Sequence, residues 1–362
     1  MIGQIHWKTP GVIITGVFLI MLVKNSYDTP NQDAGLSLRQ IYSQSSDSWP
    51  APWVDSGVNW QELADIPVQP SADAGLIALG EQLFFDPLLS ESGQIACASC
   101  HEPELAFTDA RKVSFGHDRQ AGRRNAPSIL LSGHFQAQFW DGRAASLEAQ
   151  VLMPVQDPVE MAFTLPALQQ RLQTHATYPA VFAQVSGETT ISLEVVSQAL
   201  SAYIRSLRWR STAFDRFMQG DSQALDNVAI QGLHLFRTKA RCMNCHHGAL
   251  MSDQQYHNLG LTYYGRRYED LGRYHVTGQV ADVGAFRTPT LRGVSQTGPW
   301  MHNGLFPSLE GILQMYNAGM PRPQPATSQQ QDPLFPETSH LLQPLGLSEI
   351  ELQALKHFLD QL

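Results

Sequence analysis

Hydrophobic side chains recur along this chain at helical spacing. Leu76, Leu79 and Leu83 mark one face of a segment that ends in "GEQLF", residues 80–84. Ile230, Leu233 and Phe236 do the same before and within "GLHLF", residues 232–236. Apolar positions three and four apart share a helix face, so both segments predict amphipathic helices. A longer helix is predicted over residues 191–209, "ISLEVVSQALSAYIRSLRW", closing the first half. Pro307-Ser308 opens another, with an apolar stripe of Leu309, Ile312, Leu313 and Tyr316. Met315 is rotated by about 100° from that stripe. Ser348 and Glu351 have the spacing of a capping box and open a last helix. Pro321, Pro323, Pro325 and a glutamine run predict a loop over residues 321–345. Strand-like alternation is scarce, so the predicted class is mainly α.

One apolar run breaks the amphipathic rule. Residues 11–23, "GVIITGVFLIMLV", are continuous and flanked by Lys8 and Lys24. The run is short for a membrane span, which needs roughly 20 residues. It suits a signal-peptide core, yet no small-x-small cleavage site follows. Residues 1–24 therefore predict a signal peptide or an uncleaved inner-membrane anchor, with a buried core helix as the plainer alternative. Either membrane reading carries the chain to the periplasm. Residues 25–70, rich in Ser, Asp, Pro and Gln, predict a loose tether. The 362 residues are 43% hydrophobic and 16% charged, which is globular and long enough for two domains. The net charge of -9 argues against nucleic acid as a partner.

All four cysteines fall in two matching runs, "CASCH" at 97–101 and "CMNCH" at 242–246. Cys-x-x-Cys-His is the attachment signal for c-type haem. The thiols of Cys97 and Cys100, and of Cys242 and Cys245, would each join one porphyrin, with His101 and His246 as proximal iron ligands. The alternatives are a four-thiolate zinc site, disulfides or redox pairs. Zinc does not need a histidine directly after each pair, and a redox pair does not need to occur twice. The related contexts of the two runs suggest an internal duplication: two c-type cytochrome-like domains with one covalent haem c each, residues 71–220 and 221–362.

From about residue 71 to 320 the chain resembles the bacterial di-haem cytochrome c peroxidases and their relative MauG. Beyond the haem runs the resemblance rests on "RNAP" (124–127), "QFWDGRA" (138–144), "MPVQDPVEM" (153–161), "FRTPTLR" (286–292) and "GPWMHNG" (298–304). It implies that Trp140 lies between the haems and carries charge, and that Glu160 is the distal acid of a peroxidatic first haem. Such an acid takes a proton from the bound oxygen and returns it to the leaving one. Gln150 and Pro154 would shape the same pocket. Asn125, through its side chain, and Thr297 and Pro299, through their carbonyls, match a calcium site, with the hard oxygen donors that calcium takes.

The sixth ligands decide the chemistry. In the peroxidases a "HDG" run is followed fourteen positions on by a methionine ligand, and fourteen after His302 stands Tyr316. MauG has a tyrosine there. Helical phase and register thus both favour Tyr316 over Met315 as partner of His246. His117, sixteen residues after His101, matches a peroxidase histidine that can cap the resting first haem; an exposed loop histidine is an equal reading. The expected function is peroxide reduction at the first haem, with electrons from a c-type cytochrome or cupredoxin passing through the second. The alternatives are MauG-like oxidation of a partner protein's residues and a non-catalytic di-haem electron carrier.

Overall fold

The computed structural model describes residues 36–362. The leader expected over 1–24 and the start of the expected tether lie outside the described residues. None of the described helices is long and apolar enough to cross a membrane. The class is mainly α, as the periodicity predicts. The helices are α1 (Leu38–Tyr42), α2 (Ala74–Phe85), α3 (Leu147–Gln150), α4 (Met153–Gln156), α5 (Leu165–Thr174) and α6 (Tyr178–Ser186). They continue with α7 (Leu193–Ser206), α8 (Ala213–Met218), α9 (Asn227–Arg237), α10 (Tyr274–Thr277), α11 (Leu309–Asn317) and α12 (Glu349–Leu359). A single antiparallel ribbon among the described residues pairs β1 (Tyr256–Asn258) with β2 (Ala285–Arg287), His257 opposite Phe286.

Two hydrophobic cores form. In the first, Leu79, Leu83 and Phe84 of α2 meet Leu168 of α5, Phe182 of α6 and Leu200 of α7. In the second, Leu233 and Phe236 of α9 meet Phe358 of α12, Leu313 of α11 and Phe214 of α8. Each lead helix starts on an aspartate cap: Asp73 accepts from Gly75 and Leu76, and Asp226 from Ala229. The Ser348–Glu351 capping box opens α12 as expected. Residues beyond Thr327–Gln329 and up to α12 form no regular element, matching the predicted loop. The helix expected over 191–209 is shorter at both ends. Ser192 caps it, and beyond Leu207 the chain turns so that the indole N–H of Trp209 donates to Asp215 at 2.9 Å.

The two cores share one packing unit. Glycine inside a helix costs about 1 kcal/mol relative to alanine, yet α2 and α9 each carry one at the crossing with a later helix. A Cβ on Gly80 would sit 1.9 Å from the Ala199 carbonyl oxygen and 2.8 Å from Tyr203 Cβ of α7. A Cβ on Gly232 would sit 2.1 Å from the Ala354 carbonyl oxygen and 2.6 Å from Phe358 Cβ of α12. Both glycines thus let backbone meet backbone, against a residue pair spaced four apart. In both cases a Cys-x-x-Cys-His turn follows, soon after α9 and after a longer connection from α2.

The tether expected over 25–70 is corrected where it is described. Leu38, Ile41, Tyr42, Trp49 and Leu63 are buried in the second core. Arg237, fully buried in α9, pairs with Glu62, donates to the Pro50 carbonyl and lies over the Trp49 ring at 5.0 Å. The polar composition of this segment hides scattered anchors, each of which finds a partner only in the folded second core.

Gly232→Ala should destabilise the chain by about 1–3 kcal/mol, the usual cost of overpacking a tight contact. A denaturant midpoint unchanged from the parent protein would show that α9 and α12 can separate without penalty.

Candidate haem-binding sites and the junction between them

Each attachment run is delivered by its glycine-bearing helix and closes in a single helical turn. In the first, the N–H of His101 donates to the Cys97 carbonyl at 3.0 Å; in the second, that of His246 donates to Cys242 at 2.8 Å. His101 Nδ1 lies 3.1 Å from the Phe107 carbonyl oxygen and His246 Nδ1 lies 2.9 Å from that of Met251. A carbonyl only accepts, so Nδ1 carries the proton and Nε2 keeps the lone pair that binds iron. Burial lowers both imidazole pKa values, which keeps the rings neutral. The four cysteines are unpaired thiols. Burial pushes Cys97 and Cys242 up to about 12. The four do not converge: among the described residues, the one cluster with metal-ligand spacing is Cys245, Asp253 and His257. A four-thiolate zinc site therefore fails on geometry, and the donor set fits covalent haem: two free thiols and one oriented imidazole per site.

The second site opens on a cavity of about 780 Å³, lined among others by Cys242, Cys245, His246, Met301, Leu313 and Tyr316. Tyr316 is on the lining and Met315 is not. The Tyr316 hydroxyl is held protonated by burial first, and then by Cys245 and Cys242, so it faces the attachment thiols. Leu309, Ile312 and Leu313 are buried as the stripe predicts. Helical phase alone therefore distinguishes the member of the Met315–Tyr316 pair that lines the cavity.

At the first site, Glu160 sits in a turn tied by Ala162 N–H to the Asp157 carbonyl at 2.8 Å. Its carboxyl is raised above the usual range by burial and then by Asp157, with Arg143 opposing. It is near enough to act on the thiols of Cys97 and Cys100. Pro154, at the start of α4, accepts from Met161, the neighbour of Glu160, and Gln150 ends the adjoining α3. His117 donates its backbone N–H to the Glu160 carbonyl at 2.8 Å. Gly116 makes this approach feasible, since a Cβ there would sit 2.2 Å from the Val159 carbonyl oxygen. The His117 ring places Nε2 at 3.5 Å from both Glu91 and Asp118, while its buried Nδ1 has no partner.

Trp140 lies at the junction of the halves. Its indole N–H donates to the Asn125 carbonyl at 3.0 Å, and its own carbonyl accepts from Arg287 of β2 at 2.7 Å. Beside it, Arg124 holds Asp270 through two nitrogens, at 2.7 and 2.8 Å, and Asp141 at 2.6 Å. The backbone N–H of Asn125 donates to the His302 carbonyl at 2.8 Å. His302 is stacked on Phe286, with centroids 3.6 Å apart, and burial takes its pKa down to about 4. The Asn125 amide nitrogen donates to the Arg111 carbonyl, which leaves the side-chain oxygen as its free donor. Asn125, Thr297 and Pro299, the residues expected at a calcium site, all line the same cavity.

Sequence reasoning missed the Phe107 and Met251 carbonyls, because a backbone acceptor has no residue signature. It also missed Asp270, which only the fold brings to Arg124.

Two Cys-x-x-Cys-His turns, each with an oriented histidine, define a di-haem c-type protein. A family model described as di-haem cytochrome c peroxidase matches residues 74–223. The methylamine utilization protein MauG of Methylophilus methylotrophus is 37% identical over 244 residues, covering 66% of this chain and 71% of that protein. The cytochrome c551 peroxidase of Nitrosomonas europaea is 35% identical over 257 residues, covering 69% and 77%. The crystal structure of a MauG-like protein associated with microbial copper homeostasis superposes with a TM-score of 0.71 at 29% identity, covering 86% of this chain and 95% of that one. The diheme peroxidase BthA of Burkholderia thailandensis shares the fold, with a TM-score of 0.67 at 24% identity. The chain belongs to the di-haem cytochrome c peroxidase family, whose members here include both peroxidases and MauG.

Proposed function

We propose that this chain is a periplasmic di-haem peroxidase that reduces hydrogen peroxide at the first site, with electrons delivered through the second. The observation that carries the reading is the half-buried carboxyl of Glu160, raised by desolvation, near the Cys97 and Cys100 thiols. When bound, the haems supply the iron that takes peroxide and the redox centre that feeds it. His101 and His246 would hold these irons through Nε2. Glu160 would take a proton from peroxide and return it to the leaving oxygen, which would depart as water. Pro154 and Gln150 shape the wall on that side. Trp140, bonded to both halves, offers the path between sites. Asn125, Thr297 and Pro299 would hold a calcium ion that ties the halves together. His117, whose backbone N–H donates to the Glu160 carbonyl, would cap the first site at rest. The repeated glycine crossing supports haem domains at 71–220 and 221–362 that arose by duplication. The electron donor would be a small c-type cytochrome or a cupredoxin.

A second reading is favoured by one observation, the tyrosine on the second cavity where a peroxidase has methionine. As a phenolate on iron, Tyr316 would favour the ferric or higher state. The positive metal would then have to draw off the proton that burial now holds. The second site would in that case share oxidising equivalents with the first, to modify residues of a protein substrate. Steady turnover of reduced cytochrome c with peroxide supports the first reading; modification of a partner without such turnover supports the second. Failure of both sites to bind cyanide would leave only a passive electron carrier.

Mass spectrometry of the mature chain should show two covalent haems, and joint Cys242→Ala and Cys245→Ala replacement should remove one. Bound zinc in place of haem would overturn the proposal. Glu160→Gln should slow peroxide cleavage by about 10²–10⁴-fold while both haems stay bound. Because the carboxylate is the proton-accepting form and its pKa is raised, the parent rate should climb with pH, with a midpoint above the range of a free glutamate. The glutamine variant should lose that limb; an identical pH profile would remove Glu160 from the mechanism. Tyr316→His should raise the second haem's potential, since a neutral ligand replaces an anionic one, whereas Met315→Leu should do little. Redox titration of the two variants reads this, and the reverse pattern would make Met315 the ligand.

A further inference from the structure

We infer that Asp55 is a positioning residue for the second haem, acting through the attachment turn itself. This rests on the di-haem reading above. Residues 50–64 form a strap along the outside of that turn. The N–H of Trp53 donates to the Arg237 carbonyl at 2.8 Å, and Gly248 donates to the Gln61 carbonyl at 3.1 Å. Arg292 donates to the Ala64 carbonyl at 2.7 Å. Between these anchors lies the decisive contact. Asn244, one of the two variable residues of "CMNCH", is 4% exposed. Its side-chain oxygen accepts from the Asp55 N–H at 2.8 Å, and its amide nitrogen donates to the Asp55 carboxylate at 3.3 Å. That carboxylate also pairs with Arg241, the residue before Cys242. One strap residue therefore grips the turn at two points that bracket the first thiol.

The first site has no such grip. Ser99, which occupies the place of Asn244 there, accepts from the N–H of Ala96 at 3.0 Å and so only closes its own turn. The asymmetry matches the division of labour. A site that passes electrons gains from a fixed ring, because rigid surroundings need not reorganise when the charge changes. Asp55 also neutralises Arg241. Without it, an unpaired cation would stand next to Cys242 and favour the reduced haem.

The test is redox titration of the purified holoenzyme, following each haem's absorption separately, for the parent chain and for Asp55→Ala, Asp55→Glu and Asn244→Ala. Asp55→Ala should raise the second haem's potential, giving a several-fold larger reduced fraction at a fixed applied potential, with the first haem unchanged. Asn244→Ala keeps the ion pair and should broaden the second haem's bands with a smaller shift. Asp55→Glu, which keeps the charge, should restore most of the parent potential. Loss of the second haem in Asp55→Ala, with retention in Asp55→Glu, would equally support the role. Unchanged titration of Asp55→Ala, or an equal shift of both haems, would overturn it. A parent chain that carries fewer than two haems would instead overturn the di-haem reading.

Discussion

The hydrogen bond from a histidine Nδ1 to a backbone carbonyl is the contact on which the rest of this structure depends. It occurs twice, from His101 to Phe107 and from His246 to Met251. Each bond selects the tautomer that leaves Nε2 free, and each sets the ring's orientation before any metal arrives. It can do so only if the turn carrying the histidine and the loop carrying the carbonyl are both fixed. The crossing helices fix the turn: α2 on α7 and α9 on α12, each brought to backbone contact by one glycine. Burial adds the second requirement, since it keeps the imidazoles neutral and so able to bind iron.

Two such units would be independent electron carriers without a rigid junction. Here Arg124 binds two buried carboxylates, Asp141 and Asp270, which come from opposite halves of the chain. A buried carboxylate without a partner is costly, so separating the halves would strand charge in the interior. Trp140 is held within that junction by bonds to Asn125 and Arg287. The charge network thus makes the position of the tryptophan a consequence of the fold.

The two sites differ in what surrounds each attachment turn. At the first, a turn brings the Glu160 carboxyl near the attachment thiols, and Gly116 lets the backbone at His117 pack against Val159 and Glu160. At the second, an aliphatic and aromatic wall from α11 brings Tyr316 to the thiols, and the strap grips the turn from outside. The first site thus has a titratable carboxyl beside its thiols, and the second has an attachment turn bonded to the strap.

The chemistry was legible in the chain because its carriers are local. Each Cys-x-x-Cys-His run needs only four peptide links to define a haem turn, the periodicity of α2, α9 and α11 comes from neighbours three and four apart, and the capping box of α12 spans three positions. The phase of α11 even separates Tyr316 from Met315, since adjacent helical residues diverge by about 100°. Residues 36–65 were misread as tether because their anchors are spaced irregularly: Tyr42, Trp49, Asp55 and Glu62 acquire meaning only against Arg237, Arg241 and Asn244, nearly two hundred positions away. The Phe107 and Met251 carbonyls were invisible because every residue has one. What composition and spacing determined was the cofactor class and the helices that present it. What tertiary structure decided was which carbonyl, carboxylate and strap residue surrounds each site, because those contacts join segments whose separation along the chain carries no periodic signal.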